Sequence, residues 1–226
     1  MAAKNSIKKY ASDSYYHLYN RGVEKRKIFL DEQDLSVYLS FLKTYLLPKN
    51  QEWIQNTLSN PSAGYLEKRK ALQLANLNNF FGHISLHCHC LMPNHFHLLV
   101  HQKEENDIDN FMNSLCTRYT GYFNRKYKRV GKLFQGVYKA VLVETDSQLL
   151  HLSRYIHNNP RFLGKGAQPF TSTLPEYLGQ RTTGWIKTDQ ILSYFNKQNP
   201  NNPYAKFVAS DDIPKNITEL VIDAEE

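Results

Sequence analysis

The sequence predicts an α+β protein built on an antiparallel sheet. Three observations carry that prediction. Short aromatic or apolar runs of strand character occur at Tyr15–Tyr19, Phe80–Cys90, His95–Gln102 and Gln135–Val143. Helical periodicity runs between them and after the last of them, from Asp31 to Leu46, from Asp107 to about Tyr127, and from Thr145 to Asn159. The turn Met92-Pro93-Asn94 joins two of the strands into a hairpin. The resulting order is β, α, β, β, α, β, then α, and its first six elements have the ferredoxin-like βαββαβ order.

Each element has a local reason. Asn20-Arg21-Gly22 turns the chain after the first strand, and Asp31 or Asp34 can cap the helix carrying Leu35, Tyr38, Leu39, Leu42 and Tyr45, which Pro48 stops. Residues 47–78 are mostly polar, broken at Asn60-Pro61 and Ser62-Ala63-Gly64. They read as a surface insertion with one helix from Tyr65 to Leu77. Asp107 or Asp109 opens the next helix, with Phe111, Leu115, Tyr119, Tyr122 and Phe123 broadly along one side; of these, Phe123 is assigned to the core. Thr145 or Asp146 caps the last helix, which must end near Asn159 because Pro160 disfavours helical geometry in the residue before it. Beyond Arg161 the chain is loop-rich, with a short helix predicted over Thr188 to Phe195. The expected organisation is one domain over 1–195, including the insertion, then a linker and a mobile acidic tail over 196–226.

Composition narrows the function classes. No apolar run is long enough to cross a bilayer, and the first residues lack the apolar stretch of a secretory signal. Three cysteines (Cys88, Cys90, Cys116) do not make a disulfide framework, which favours a reducing cytoplasm. The net charge is +7 and unevenly placed. From Thr117 to Val143 there are seven basic residues (Arg118, Arg125, Lys126, Lys128, Arg129, Lys132, Lys139) and no acidic one. Without the six acids and one lysine from Ser210 onward, 27 basic residues stand against 15 acidic ones. A basic body with a concentrated patch points to a polyanion partner, most often nucleic acid. Aromatics interleaved with these cations (Tyr119, Tyr122, Phe123, Tyr127, Phe134) suit single strands, where rings stack on bases and cations track phosphates.

The chemistry concentrates in His95-Phe96-His97. On a strand the two imidazoles share one face and Phe96, Leu98 and Val100 take the other. Two imidazoles on a rigid strand make half of a metal site. The second element is Tyr155 with Asn159 one helical turn later, on the same face. A tyrosine hydroxyl can act as a covalent nucleophile, although at pH 7 only about one part in a thousand is ionised. A divalent cation on a scissile phosphate offsets part of that deficit, and a side-chain amide such as Asn159 would complete the ligand set. Tyr119 and Tyr122 are rival nucleophiles, but only Tyr155 is followed by a polar residue one turn on and a helix stop.

Pro93-Asn94-His95-Phe96-His97 resembles the HUH signature of single-tyrosine transposases. The stretches Arg118-Tyr119 to Tyr127, Gly131 to Gly136 and Tyr138-Lys139 are similar to the basic-aromatic block of the REP-associated tyrosine transposases. Tyr155-Ile156, Asn159-Pro160, Tyr16 to Gly22, Ile28-Phe29, Tyr177 to Gly179, Trp185 and Thr188-Asp189 fit the same family, so the resemblance covers most of 15–195. It implies a ferredoxin-like core with the HUH strand at its centre. It implies Mg2+ or Mn2+ held by His95 and His97 with Asn159 nearby, and Tyr155 attacking single-stranded, hairpin-forming DNA to give a 5′-phosphotyrosine. Arg154 and the basic residues of the 118–139 block, with Tyr119 and Tyr122, would contact DNA. The protein would be a monomer or a homodimer. Two features depart from the family pattern: the length of 47–78, and Gln135, where many relatives carry an acidic residue.

Other readings stay open on sequence. One is a hairpin-DNA-binding relative that does not cut. Another is a metal-dependent hydrolase that releases free 5′-phosphates. A third is a structural zinc site from His83, His87 and His89, which simple alternation would place on one face, opposite Cys88 and Cys90.

Overall fold

Alternation along His95–Gln102 gives one strand two unlike faces, and the fold is arranged around it. The computed structural model describes residues 10–162, 170–195 and 203–210. The strands are β1 (Ser14–Arg21), β2 (Ile84–Met92), β3 (His95–Gln102), β4 (Lys139–Val143) and β5 (Thr171–Ser172). They form one five-stranded sheet in the order β4-β1-β3-β2-β5, with every strand pair antiparallel. The histidine-bearing strand is central: β3 is hydrogen-bonded to β1 on one side and β2 on the other, so its backbone groups are satisfied within the sheet.

The helices are α1 (Glu32–Leu46), α2 (Gln51–Ser59), α3 (Tyr65–Asn76), α4 (Asp107–Lys126), α5 (Asp146–Asn158), α6 (Leu174–Tyr177), α7 (Asp189–Leu192) and α8 (Pro203–Ala209). Asp31 caps α1, its Oδ1 accepting from Asp34 N at 3.0 Å. Thr145 and Gln148 form a reciprocal capping box that starts α5 directly after β4.

The sheet separates two cores. On one face Tyr16, Leu18, Phe96, Leu98 and Val100 pack with Leu35, Tyr38 and Leu42 of α1 and Phe111, Leu115 and Tyr119 of α4. On the other, Cys88, Cys90, Met92 and Leu99 pack with Leu149, Leu152 and Ile156 of α5. Phe123 is buried in the first core, as its helical position suggested.

Several elements differ from the sequence reading. The strand expected from Gln135 begins at Lys139, because Gly136 at φ 71° turns the chain before it. The strand expected from Phe80 begins at Ile84, since residues 80–83 form a turn in which His83 N and Ile84 N both donate to Phe80 O. The insertion holds two helices rather than one, α2 and α3, tied by Lys49 Nζ donating to Ala75 O at 2.8 Å. A bulge shifts the β2–β3 register between Leu86 and Cys88. It sends His87 to the Tyr15 side of the sheet and leaves His89 stacked on Trp185, so the expected common face of the β2 histidines does not exist.

The chain after 195 also differs. Pro203–Ala209 forms α8 and docks on α5, with Tyr204 and Val208 buried. The remainder of the expected linker and tail, 196–202 and 211–226, lies outside the described residues.

Candidate active site

The α5 face of β3 carries His95 and His97. His97 is fully buried, and His95 lies at the strand's start, half-buried. Their rings are perpendicular with centroids 5.0 Å apart. The apolar stripe Leu149, Leu152 and Ile156 seats α5 on this face, and that seating brings Tyr155 over the histidines. The Tyr155 ring lies edge-on to His97 at 5.5 Å and to His17 at 6.3 Å, centroid to centroid. One turn later the α5 ladder ends at Asn159, which is buried, and its Oδ1 lies 3.2 Å from His95 Nε2. Tyr155, Asn159, His95 and His97, all expected to act together, are thus brought together in one molecule.

The hydrogen-bond inventory of the imidazoles is unbalanced. His95 Nδ1 lies 2.7 Å from Asn94 Oδ1 while Nε2 faces Asn159 Oδ1. Burial holds the His95 pKa below the ordinary imidazole value. The contact with Asn159 opposes this, and the Arg21 charge reinforces it. A neutral imidazole has one proton to give, so one of its two nitrogens meets an oxygen lone pair to lone pair. His97 is held well below the ordinary value, first by burial and then by its neighbours His95 and His17. Its Nδ1 is 2.9 Å from His17 Nε2, and its Nε2 is buried with no hydrogen-bond partner. Such orphaned buried nitrogens are costly.

A cation held by His95 Nε2, His97 Nε2 and Asn159 Oδ1 would remove both faults. Adjacent corners of an octahedron with bonds of about 2.1 Å lie about 3 Å apart, which fits the His95 Nε2–Asn159 Oδ1 separation of 3.2 Å. An amide oxygen suits Mg2+ or Mn2+, whereas imidazole is a borderline ligand that also suits Zn2+, Fe2+ and Ni2+. Among the described residues no group of three His, Cys, Asp or Glu side chains is placed to hold a metal, so a cation here would need the amide of Asn159 as a third ligand.

Sequence reasoning missed three members of the site. His17 is fully buried on β1 and its ring stacks on His97 at 5.1 Å and 16°. His17 falls within the strand expected at Tyr15–Tyr19, but nothing local says that β1 lies beside β3. Asn94 orients His95 from the hairpin turn. Arg21 pairs with His95 in register and donates Nε–H to Gln135 Oε1 at 2.5 Å.

The expected DNA contacts divide. Tyr119 is fully buried and its hydroxyl donates to Ile28 O at 2.6 Å, so it offers no face to a base and is corrected to the core. Arg154 is also corrected: it is 3% exposed, donates to Ser210 Oγ and lies over the Phe207 ring, where it clamps α8. Tyr122 and Lys126 are drawn inward, because Asp34 accepts from both and Asp31 from Lys126. Arg118 lies 3.9 Å over the Phe41 ring on the α1 side. Arg125, Lys128 and Lys132 are exposed, Arg129 is half-buried, and Lys139 sits opposite Tyr19 on the histidine face.

Residues 74–159 match the family model described as transposase, IS200 like. Comparison with curated proteins gave no match. Among solved structures, a REP-associated tyrosine transposase bound to a REP hairpin is similar at 12% identity and TM-score 0.43, covering 80% of this chain and 95% of its own. A Deinococcus radiodurans R1 protein described as a transposase is similar at 14% identity and TM-score 0.33, covering 70% of this chain and 97% of its own. The segment similar to the IS200-like transposase family model runs through β2, β3, α4, β4 and α5 and contains His95, His97, Tyr155 and Asn159.

Proposed function

We propose that this protein is a Mg2+- or Mn2+-dependent DNA transposase that cuts and rejoins hairpin-forming single-stranded DNA through a 5′-phosphotyrosine at Tyr155. The observation that supports this best is the Tyr155 ring packed against His97, whose Nε2 is buried and unpartnered. We read the sheet as a ferredoxin-like core with the HUH motif on its central strand, and the protein as acting in the cytoplasm.

His95 Nε2, His97 Nε2 and Asn159 Oδ1 would hold the cation. When bound, it neutralises charge on the scissile phosphate and so favours attack by a weakly ionised phenol. The chain's own residues do the positioning. Asn94 would fix the His95 ring through Nδ1, and His17 Nε2, 2.9 Å from His97 Nδ1, would fix the His97 ring, leaving both Nε2 lone pairs available. Tyr155 Oη forms a bond to phosphorus as the bond from phosphorus to the 3′ oxygen breaks. The phenolic proton ends on that oxygen, giving a free 3′-hydroxyl. Attack by a second 3′-hydroxyl reverses the step and rejoins the strand, with the bond energy kept in the adduct.

The test is incubation with a single-stranded hairpin oligonucleotide and Mn2+ or Mg2+, followed by a denaturing gel. A covalent protein–DNA band that is lost on chelation supports the proposal. Binding without a band would instead indicate a hairpin-binding protein that does not cut.

A further inference from the structure

Arg21 is the last residue of β1, and strand register decides which side of the sheet it serves. It pairs with His95, as Tyr19 pairs with His97 and His17 with Leu99. Cross-strand partners share a face, so the Arg21 side chain rises from the face that carries both β3 imidazoles and the Tyr155 ring. Directly opposed residues have Cβ atoms about 5 Å apart, a gap that a guanidinium spans. The Arg21 charge is felt at His95, where it opposes protonation of the ring.

The guanidinium is held but not neutralised. Nε donates to Gln135 Oε1 at 2.5 Å, Gln135 N donates to Arg21 O at 2.8 Å, and Asn20 Oδ1 accepts from Arg21 N at 2.9 Å. A bridge between Gly22 and Phe134 keeps Gln135 beside the end of β1. Gln135 is an amide, so it fixes the guanidinium and leaves its charge whole. Among the described residues no carboxylate pairs with Arg21, whereas Arg26, Lys126 and Arg181 each have at least one. One of the five guanidinium N–H groups is spent on Gln135, and the four on the two Nη atoms remain. A half-buried, pinned guanidinium with those donors left over matches two oxygens of one phosphate.

We propose that Arg21 is a catalytic residue whose Nη groups donate to the non-bridging oxygens of the phosphate attacked by Tyr155, with Gln135 as its positioning residue. The proposal rests on the function given above. No proton moves to or from Arg21; it supplies fixed donors and charge to a phosphoryl group whose transfer depends on positioning and neutralisation.

The experiment first maps the bond that the native protein opens in a single-stranded hairpin oligonucleotide with Mn2+. A methylphosphonate is then placed at that bond, which removes the negative charge from that one phosphate. Strand-opening rates are measured on both oligonucleotides for the native chain, Arg21→Ala, Arg21→Lys and Gln135→Glu, and Mn2+ affinity is measured by calorimetric titration. On the ordinary phosphate Arg21→Ala is expected to be ~100-fold slower than native. Arg21→Lys is expected to recover part of that loss, and Gln135→Glu to slow the reaction by supplying Arg21 with a counter-charge. On the methylphosphonate most of the Arg21→Ala deficit is expected to disappear. Mn2+ affinity is expected to be no weaker than native in any variant, since no ligand is lost. Native-rate opening by Arg21→Ala, an equal deficit on both oligonucleotides, or a loss of Mn2+ affinity that accounts for the deficit would overturn the proposal and leave Tyr155 in place. Absence of strand opening and of a covalent adduct with the native protein would overturn the reading of Tyr155, and the role of Arg21 with it.

Discussion

The two faces of β3 are made by alternate residues of one strand, yet they are built on opposite rules. Phe96, Leu98 and Val100 enter a core of aromatic and aliphatic side chains under α1 and α4. At its margin, the polar groups Asp34, Lys126, Tyr122 and Tyr127 satisfy one another. His95 and His97 enter a face where imidazoles crowd together, one nitrogen has no partner and another opposes an oxygen. Burying an apolar ring is favourable without further help, whereas burying a nitrogen that lacks a partner is costly. The other face carries this cost too, at Tyr38 Oη and His89, but only the orphaned nitrogen of His97 lies beside a second strand imidazole and Tyr155.

The sharpest way to break this comparison is to truncate neighbours on opposite faces. Phe96→Ala leaves a cavity and should cost about 3–5 kcal/mol in urea unfolding, while Mn2+ affinity of the folded fraction stays near native. His97→Ala should cost less stability, since the imidazole it removes carries an orphaned nitrogen, and should lower Mn2+ affinity by more than ~100-fold. Calorimetric titration on both proteins reads the contrast, and equal metal loss in the two would dissolve it.

A smaller effect tests the support behind the site. His17→Phe keeps the stacked ring but removes the hydrogen-bond partner of His97 Nδ1. It should weaken Mn2+ binding by ~10–100-fold, with Gln at the same position restoring part of the loss through its amide oxygen. Unchanged affinity in the Phe variant would reduce His17 to packing.

The smallest expected effect concerns acid. Burial pushes His87 and His89 down to about 4 from an ordinary value of 6.5. Between those values the unfolded chain takes up protons that the folded chain refuses, so stability present above pH 6.5 is lost as pH falls toward 4. His89→Leu should make the fall in melting temperature from pH 7 to pH 5 shallower, and an unchanged slope would count against a buried neutral His89.

Local signals were enough for much of this. The alternation at 95–100, the Asp31 and Thr145 caps and the Pro160 stop predicted β3, α1 and α5 to within a residue or two. The placing of Tyr155 and Asn159 one turn apart at the end of α5 followed from their spacing. What failed depended on partners distant in sequence. The β2 bulge, which redirects His87, is set by pairing with β3. Tyr119 and Arg154 are committed to Ile28 O and to α8, contacts that no spacing rule reveals. His17 joined the site only because β1 lies beside β3.

The most direct measurement of the central claim is mass spectrometry of the protein after reaction with hairpin single-stranded DNA and Mn2+, nuclease trimming and proteolysis. The account predicts a nucleotide linked through its 5′-phosphate to the peptide containing Tyr155, and none from Tyr155→Phe. A nucleotide on another tyrosine, or cut DNA with free 5′-phosphates and no protein-bound product, would contradict it.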